Sequence, residues 1–213
     1  MSWNNKVLWS EGLFLQPHHF QQHDRYLEHL VASKTSLGTP HPWGIRQLIL
    51  DADLLTMGKI AIVEASGLLP DGTPFNIPAD DPPPRPLEID ETVKEQVVYL
   101  ALPLRQPGLP EAGSVDDEEH SLRYRSDEVD IRDNVAGAQT ESRIEVGRLD
   151  LRLLLERENR NGVAYAGLTK VIECRADKQV VLDDTYIPPC VDYQASSRLA
   201  GFCGELLGLL HHR

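Results

Sequence analysis

Leu149-Asp150-Leu151-Arg152-Leu153-Leu154-Leu155-Glu156 is the stretch that decides the fold. Leu149, Leu151, Leu153 and Leu155 take alternate positions, with Asp150, Arg152 and Glu156 at places between or after them. Successive side chains of an extended chain point to opposite faces, so four leucines share one face and the charges share the other. A helix would scatter the same leucines around its axis, so the pattern predicts a half-buried strand. Asn161-Gly162 follows, a pair suited to the positive φ of a hairpin turn, and residues 163–168 read as the return strand. Residues 171–174 and 180–182 continue the meander.

Upstream, residues 96–104 form a nearly continuous apolar run, the mark of a strand buried on both faces. Residues 43–50 and 59–65 are further strand candidates. Pro70-Asp71-Gly72-Thr73 is a tight turn, proline setting φ and glycine taking the positive-φ position. Five prolines between residues 78 and 86 favour extended backbone that lacks ladder donors, hence a rigid connection or a sheet edge. Many short strands at turn spacing without intervening helices predict a mainly β chain built as an antiparallel sandwich. The acidic Asp116-Asp117-Glu118-Glu119 falls in a loop between strands, where such clusters are usually solvated.

Helical periodicity flanks this region on both sides. Pro17 suits a first-turn position, and Phe20, Leu27, Leu30 and Val31 keep to one face before Gly38 and Pro40 stop the helix. That stripe predicts an amphipathic helix lying on a sheet. At the other end Ala195, Leu199, Phe202, Leu206 and Leu209 are spaced 4, 3, 4, 3, the seam of a coiled coil or bundle. Cys203, Leu207 and Leu210 widen the stripe. The helix has no stop signal before Arg213, so it is expected to continue into further sequence or to find neighbours. The organisation expected is a sandwich domain with an N-terminal extension over residues 1–190, then the first helix of a neck over 191–213.

Composition narrows the function classes. The 213 residues are 41% hydrophobic, enough to build a core unaided. Lys and Arg total 21 against 33 Asp and Glu, a net charge of −12, which disfavours a nucleic-acid surface. No run approaches the ~20 apolar residues of a membrane span, so direct insertion is not expected. Cys174, Cys190 and Cys203 are odd in number and form no CxxC pair, which points to a reducing, cytoplasmic setting.

Catalytic signatures are sparse. His19 and His23, four apart among His18, His19, His23 and His29, share a helical face and form the best candidate for a zinc site. There is no HExxH, and spacing alone points to no third ligand, Asp24 or Glu28 serving only in a favourable fold; histidines at a helix start more often cap or pack. No GxSxG, Walker or GxGxxG motif follows a strand. Trp3, Trp9 and Trp43 leave a carbohydrate platform open as an alternative, beside core packing or a protein interface. The N-terminal segment, with Val7, Leu8, Trp9, Leu13, Phe14, Leu15 and Phe20, is apolar where chain ends are normally polar. It reads as a strand of the domain's own sheet or as a contact surface for another chain.

Residues 7–26, VLWSEGLFLQPHHFQQHDRY, resemble the opening signature of the TssK family, baseplate subunits of the type VI secretion system. Pro42-Trp43-Gly44, Gly67-Leu68-Leu69-Pro70-Asp71-Gly72-Thr73-Pro74-Phe75 and Ile187-Pro188-Pro189-Cys190 agree with the same family. The chain departs from it in length, since the C-terminal head domain has no counterpart here. The resemblance implies a trimeric, non-enzymatic adaptor without metal or cofactor. Its sandwich would be similar to the shoulder of phage receptor-binding proteins and would dock the TssF–TssG wedge, largely through TssG. The head would reach the TssJ–TssL–TssM membrane complex, and the assembly would lie in the cytoplasm at the inner-membrane-docked baseplate. Trp3, Trp9, Leu13, Phe14, Pro17 and Phe20 are the expected partner-binding residues. Leu199, Phe202, Leu206 and Leu209 are the expected trimer neck, each worth about 1.5–3 kcal/mol when buried.

Overall fold

A computed structural model describes residues 4–113, 122–135 and 140–211. The chain divides into two compact units, Met1–Pro42 and Trp43–Arg213. In the first, residues 5–10 and 13–16 carry no regular structure, and α1 spans Pro17–Gly38. The segment is therefore not a strand. Proline at the first helical position costs no hydrogen bond there, because that N–H has no intrahelical partner. No residue of α1 is buried.

The second unit contains β1 (Gly44–Leu50), α2 (Ala52–Leu55), β2 (Lys59–Ile60), β3 (Ile62–Leu68), β4 (Pro74–Ile77), β5 (Leu87–Glu88) and β6 (Lys94–Pro103). It continues with β7 (Ala112–Gly113), β8 (Tyr124–Arg132), β9 (Glu141–Leu149), β10 (Arg152–Leu155), β11 (Val163–Cys174) and β12 (Val180–Leu182). A 3-10 turn, Tyr193–Ala195, leads into α3, Ser197–His211. The principal sheets have the orders β1-β3-β4, β10-β6-β11-β12 and β7-β8-β9, and β2 pairs with β5. All pairings between these strands are antiparallel except β7 with β8.

One apolar cluster joins the first two sheets. Ile45, Ile62, Ala65, Phe75 and Ile77 come from one, and Val98, Leu100, Leu102, Ala164, Ala166 and Leu168 from the other. This is the sandwich that the strand pattern predicts. β6 lies between β10 and β11, and Leu100, Ala101, Leu102 and Pro103 at its end are buried in succession. All four alternating leucines are buried, although β9 ends at Leu149 and β10 begins at Arg152.

Asp150 differs from the sequence reading, which set it on the solvent side. It is buried, with Oδ1 2.5 Å from Arg125 Nε and Oδ2 accepting from Arg152 Nη2 at 2.6 Å. Two guanidinium groups replace the water that the carboxylate loses. Asn161-Gly162 also differs. Gly162 does take φ 76°, yet β10 and β11 are not neighbours, because both pair with β6. The connection crosses that strand, and the Arg160 guanidinium lies over the Tyr99 and Tyr165 rings at 4.4 and 4.9 Å. The Pro70–Thr73 turn forms as expected, Gly72 at φ 84° and Leu69 N–H donating to the Thr73 carbonyl at 2.9 Å.

Candidate protein-interaction surfaces

The N-terminal segment is held to α1 through its polar groups and one indole. Gln22 Nε2 donates to the Asn5 carbonyl at 2.7 Å. A turn closes at Leu13 N–H to the Ser10 carbonyl, 3.2 Å, with Gly12 at φ 80°. The Trp9 ring lies 6.3 Å from His19, 6.3 Å from Phe20 and 5.9 Å, edge-on, from His23. His19 also receives the Gln16 N–H on Nδ1 at 3.1 Å, satisfying the backbone where the helix begins. His19 thus caps and packs, and His23 packs. Among the described residues no group of three or more His, Cys, Asp or Glu is placed to hold a metal ion.

With the histidines and Trp9 so engaged, the remaining apolar groups of the segment point away from cover. Phe14 is 80% exposed, Pro17 and Phe20 are exposed, and Leu13 is half-buried. Trp3 lies outside the described residues, as does the acidic segment at 116–119. Trp43 packs against the sandwich core, which removes it from an exposed sugar platform.

In the second unit, the backbone before α3 is pinned to β1. Ile45 N–H donates to the Pro189 carbonyl at 2.8 Å, and Val191 N–H to the Ile45 carbonyl at 3.0 Å. Gly44 permits this approach, since a Cβ there would sit 2.9 Å from the Cys190 backbone. Ala195 packs on the core as part of the 3-10 turn, so the helical seam begins at Leu199 rather than at Ala195. No residue of α3 is buried. Leu199 is half-buried, while Phe202, Leu206 and Leu209 are 57%, 43% and 69% exposed. Leu207 and Leu210 extend the uncovered arc. Gly201, Gly204 and Gly208 fall on the opposite face at 3.6-residue periodicity, each with open space around it. A short helix gains little by itself, so an apolar arc of this width is stable only when covered.

Burial pushes the Cys174 and Cys190 thiols up, away from the thiolate, with nearby carboxylates adding to the effect. Among the described residues no helix is long and apolar enough to cross a membrane. The sequence reading missed the long β8–β9 hairpin, whose strands are charged on one face by Glu128, Glu145, Asp130 and Arg143. It also missed Arg123, a buried cation before β8.

These features define a class: a β-sandwich shell that exposes apolar side chains on flanking helices. Residues 19–213 match the profile of a bacterial type VI secretion family that includes EvfL, ImpJ and VasE. The chain is 48% identical over all 213 residues to the type VI secretion system baseplate component TssK1 of Pseudomonas aeruginosa. It spans 48% of that protein, about half its length. Similar solved structures include a crystal structure of TssK, with TM-score 0.91, 38% identity, and coverage of 98% of this chain and 47% of that one. The TssK–TssF–TssG baseplate subcomplex seen by cryo-electron microscopy gives TM-score 0.83 and 27% identity over 98% of this chain and 68% of the other. A structure of the baseplate complex from the type VI secretion system gives 0.82 and 28%, over 98% and 66%. The chain belongs to the TssK family.

Proposed function

We propose that this chain is the β-sandwich part of a type VI secretion baseplate adaptor. It acts through protein contacts rather than catalysis. Three copies associate along α3, Leu199, Phe202, Leu206 and Leu209 forming the seam. The N-terminal segment, through Trp3, Trp9, Leu13, Phe14, Pro17 and Phe20, anchors the TssF–TssG wedge. The curated relative is about twice as long, and the part of such proteins beyond this region links the baseplate to the TssJ–TssL–TssM membrane complex. The site of action is the cytoplasmic face of the inner membrane.

The observation that carries this reading is the uncovered apolar arc of α3 in a chain of this family. Phe202 and Leu209 expose more than half of their surface to water, and apolar area of this kind marks a contact surface for protein. The likeness of this chain to the TssK–TssF–TssG baseplate subcomplex supports the same partners here. Co-expression with the TssF and TssG of the same system tests it. Recovery of a stable complex through a tag on TssG is the expected result, and recovery of TssF–TssG without this chain counts against it.

A further inference from the structure

Away from α1 and α3, the buried Arg123 keeps a donor that no described residue uses. Arg123 is 3% exposed. Its Nη1 donates to the Pro103 carbonyl at 2.6 Å and its Nη2 to Asp71 Oδ2 at 2.8 Å and to Thr73 Oγ1, while Nε has no partner among the described residues. This guanidinium lines a cleft of about 100 Å³ together with Arg105, Gln106 and Glu111, and the exposed Leu104 and Leu109 form part of its rim. Arg105 Nη2 donates to the Tyr124 hydroxyl at 2.9 Å, and its Nε lies 3.3 Å from Glu111 Oε2.

We propose that this cleft receives the carboxylate of an Asp or Glu side chain from a partner protein, accepting the Arg123 Nε–H, with apolar neighbours of that acid resting on Leu104 and Leu109. A buried charged donor without an acceptor is costly, and a carboxylate is its strongest acceptor. The cleft has room for the end of one acidic side chain. An exposed leucine rim around a buried arginine is the arrangement of an interface hot spot, a desolvated centre ringed by contacts that exclude water. The inference uses none of the α1 or α3 side chains, so it stands or falls separately from the adaptor reading.

The Arg123 Nε–Hε signal in ¹⁵N NMR of the full chain, assigned through its own backbone, reads the site directly. Sodium acetate and the capped tripeptide acetyl-Leu-Glu-Leu-amide are titrated against sodium chloride at equal ionic strength. The expected result is a saturable downfield shift with both carboxylates and none with chloride. The peptide should bind about tenfold or more tighter than acetate, because one buried leucine is worth at least ~1.4 kcal/mol. Leu109→Ser should remove that advantage while leaving acetate binding intact. Glu111→Gln should tighten both by removing a like charge from the cleft wall. An immobile signal overturns the proposal. So does an equal shift in chloride, which means an adventitious ion only. Equal affinity for acetate and peptide overturns the partner-protein reading in favour of a free small acid. A signal already far downfield and unresponsive means that a carboxylate of this chain fills the cleft, which also overturns it.

Discussion

Phe202→Asp with Leu206→Asp is the perturbation that α3 makes most informative. Full burial of a Phe or Leu side chain is worth about 1.5–3 kcal/mol. Phe202 leaves 57% and Leu206 43% of itself uncovered, so covering the remainder yields about 1.5 and about 1 kcal/mol. Three helices in one seam raise the loss to about 7 kcal/mol per trimer, roughly five powers of ten in the association constant. Carboxylates facing one another in the seam add a further penalty in the same direction. The sandwich should be indifferent, because no residue of α3 belongs to the buried core. Sedimentation velocity over a concentration series measures the outcome, with thermal unfolding of the sheet region as the folding control. The parent should run at three times the chain mass at high concentration and the double variant at one. Gly204→Ala, on the opposite face, should leave the mass unchanged and stabilise the helix by about 1 kcal/mol. A double variant that keeps the parent's mass, or a parent that stays monomeric throughout, refutes the seam.

Phe14→Ala should leave folding intact and weaken capture by TssF–TssG at least tenfold, whereas Trp9→Ala should also loosen the packing on His19 and His23; pull-down titration and Trp9 indole NMR check both. Asp150→Ala should cost about 1–3 kcal/mol in urea unfolding, since Arg125 and Arg152 lose their shared acceptor. Burial raises the Cys174 and Cys190 thiols, so at pH 8 both should alkylate far more slowly than free cysteine and recover normal rates in denaturant. Cys203, beside the seam on α3, should alkylate faster in the Phe202→Asp, Leu206→Asp variant than in the parent, as mass-resolved labelling would show.

What was readable in the sequence followed from local periodicity. The alternating leucines at 149–155 and the apolar run at 96–104 record which side of an element is dry, and burial has that period; the 4-3 spacing made α3 legible as a helix, whose apolar arc is uncovered in this structure. The Pro70–Thr73 turn and the Pro17 helix start were legible because proline and glycine act on their own backbone. Sheet order was not. Asn161-Gly162 looks like a hairpin, and only the long-range pairing of β6 with both β10 and β11 separates those strands. Asp150 was misjudged for a related reason, since part of what makes its burial tolerable is Arg125, twenty-five positions earlier in the sequence. The β8–β9 hairpin escaped notice because charges outnumber apolar groups there, with ion pairs such as Arg132 to Glu141 and Arg143 to Asp130 across its strands. Of the surface residues, the aromatic segment was legible as apolar excess, but its anchoring through His19 and His23 was not, nor was the Arg123 cleft.

Native mass spectrometry of this chain bound to TssF and TssG weighs the central claim most directly, since a counted complex reveals whether exposed helices find one another. The account predicts chains in threes within each assembly, reduced to none or one by the α3 aspartates. A complex that holds a single chain in the parent, or an unchanged count in the variant, contradicts it.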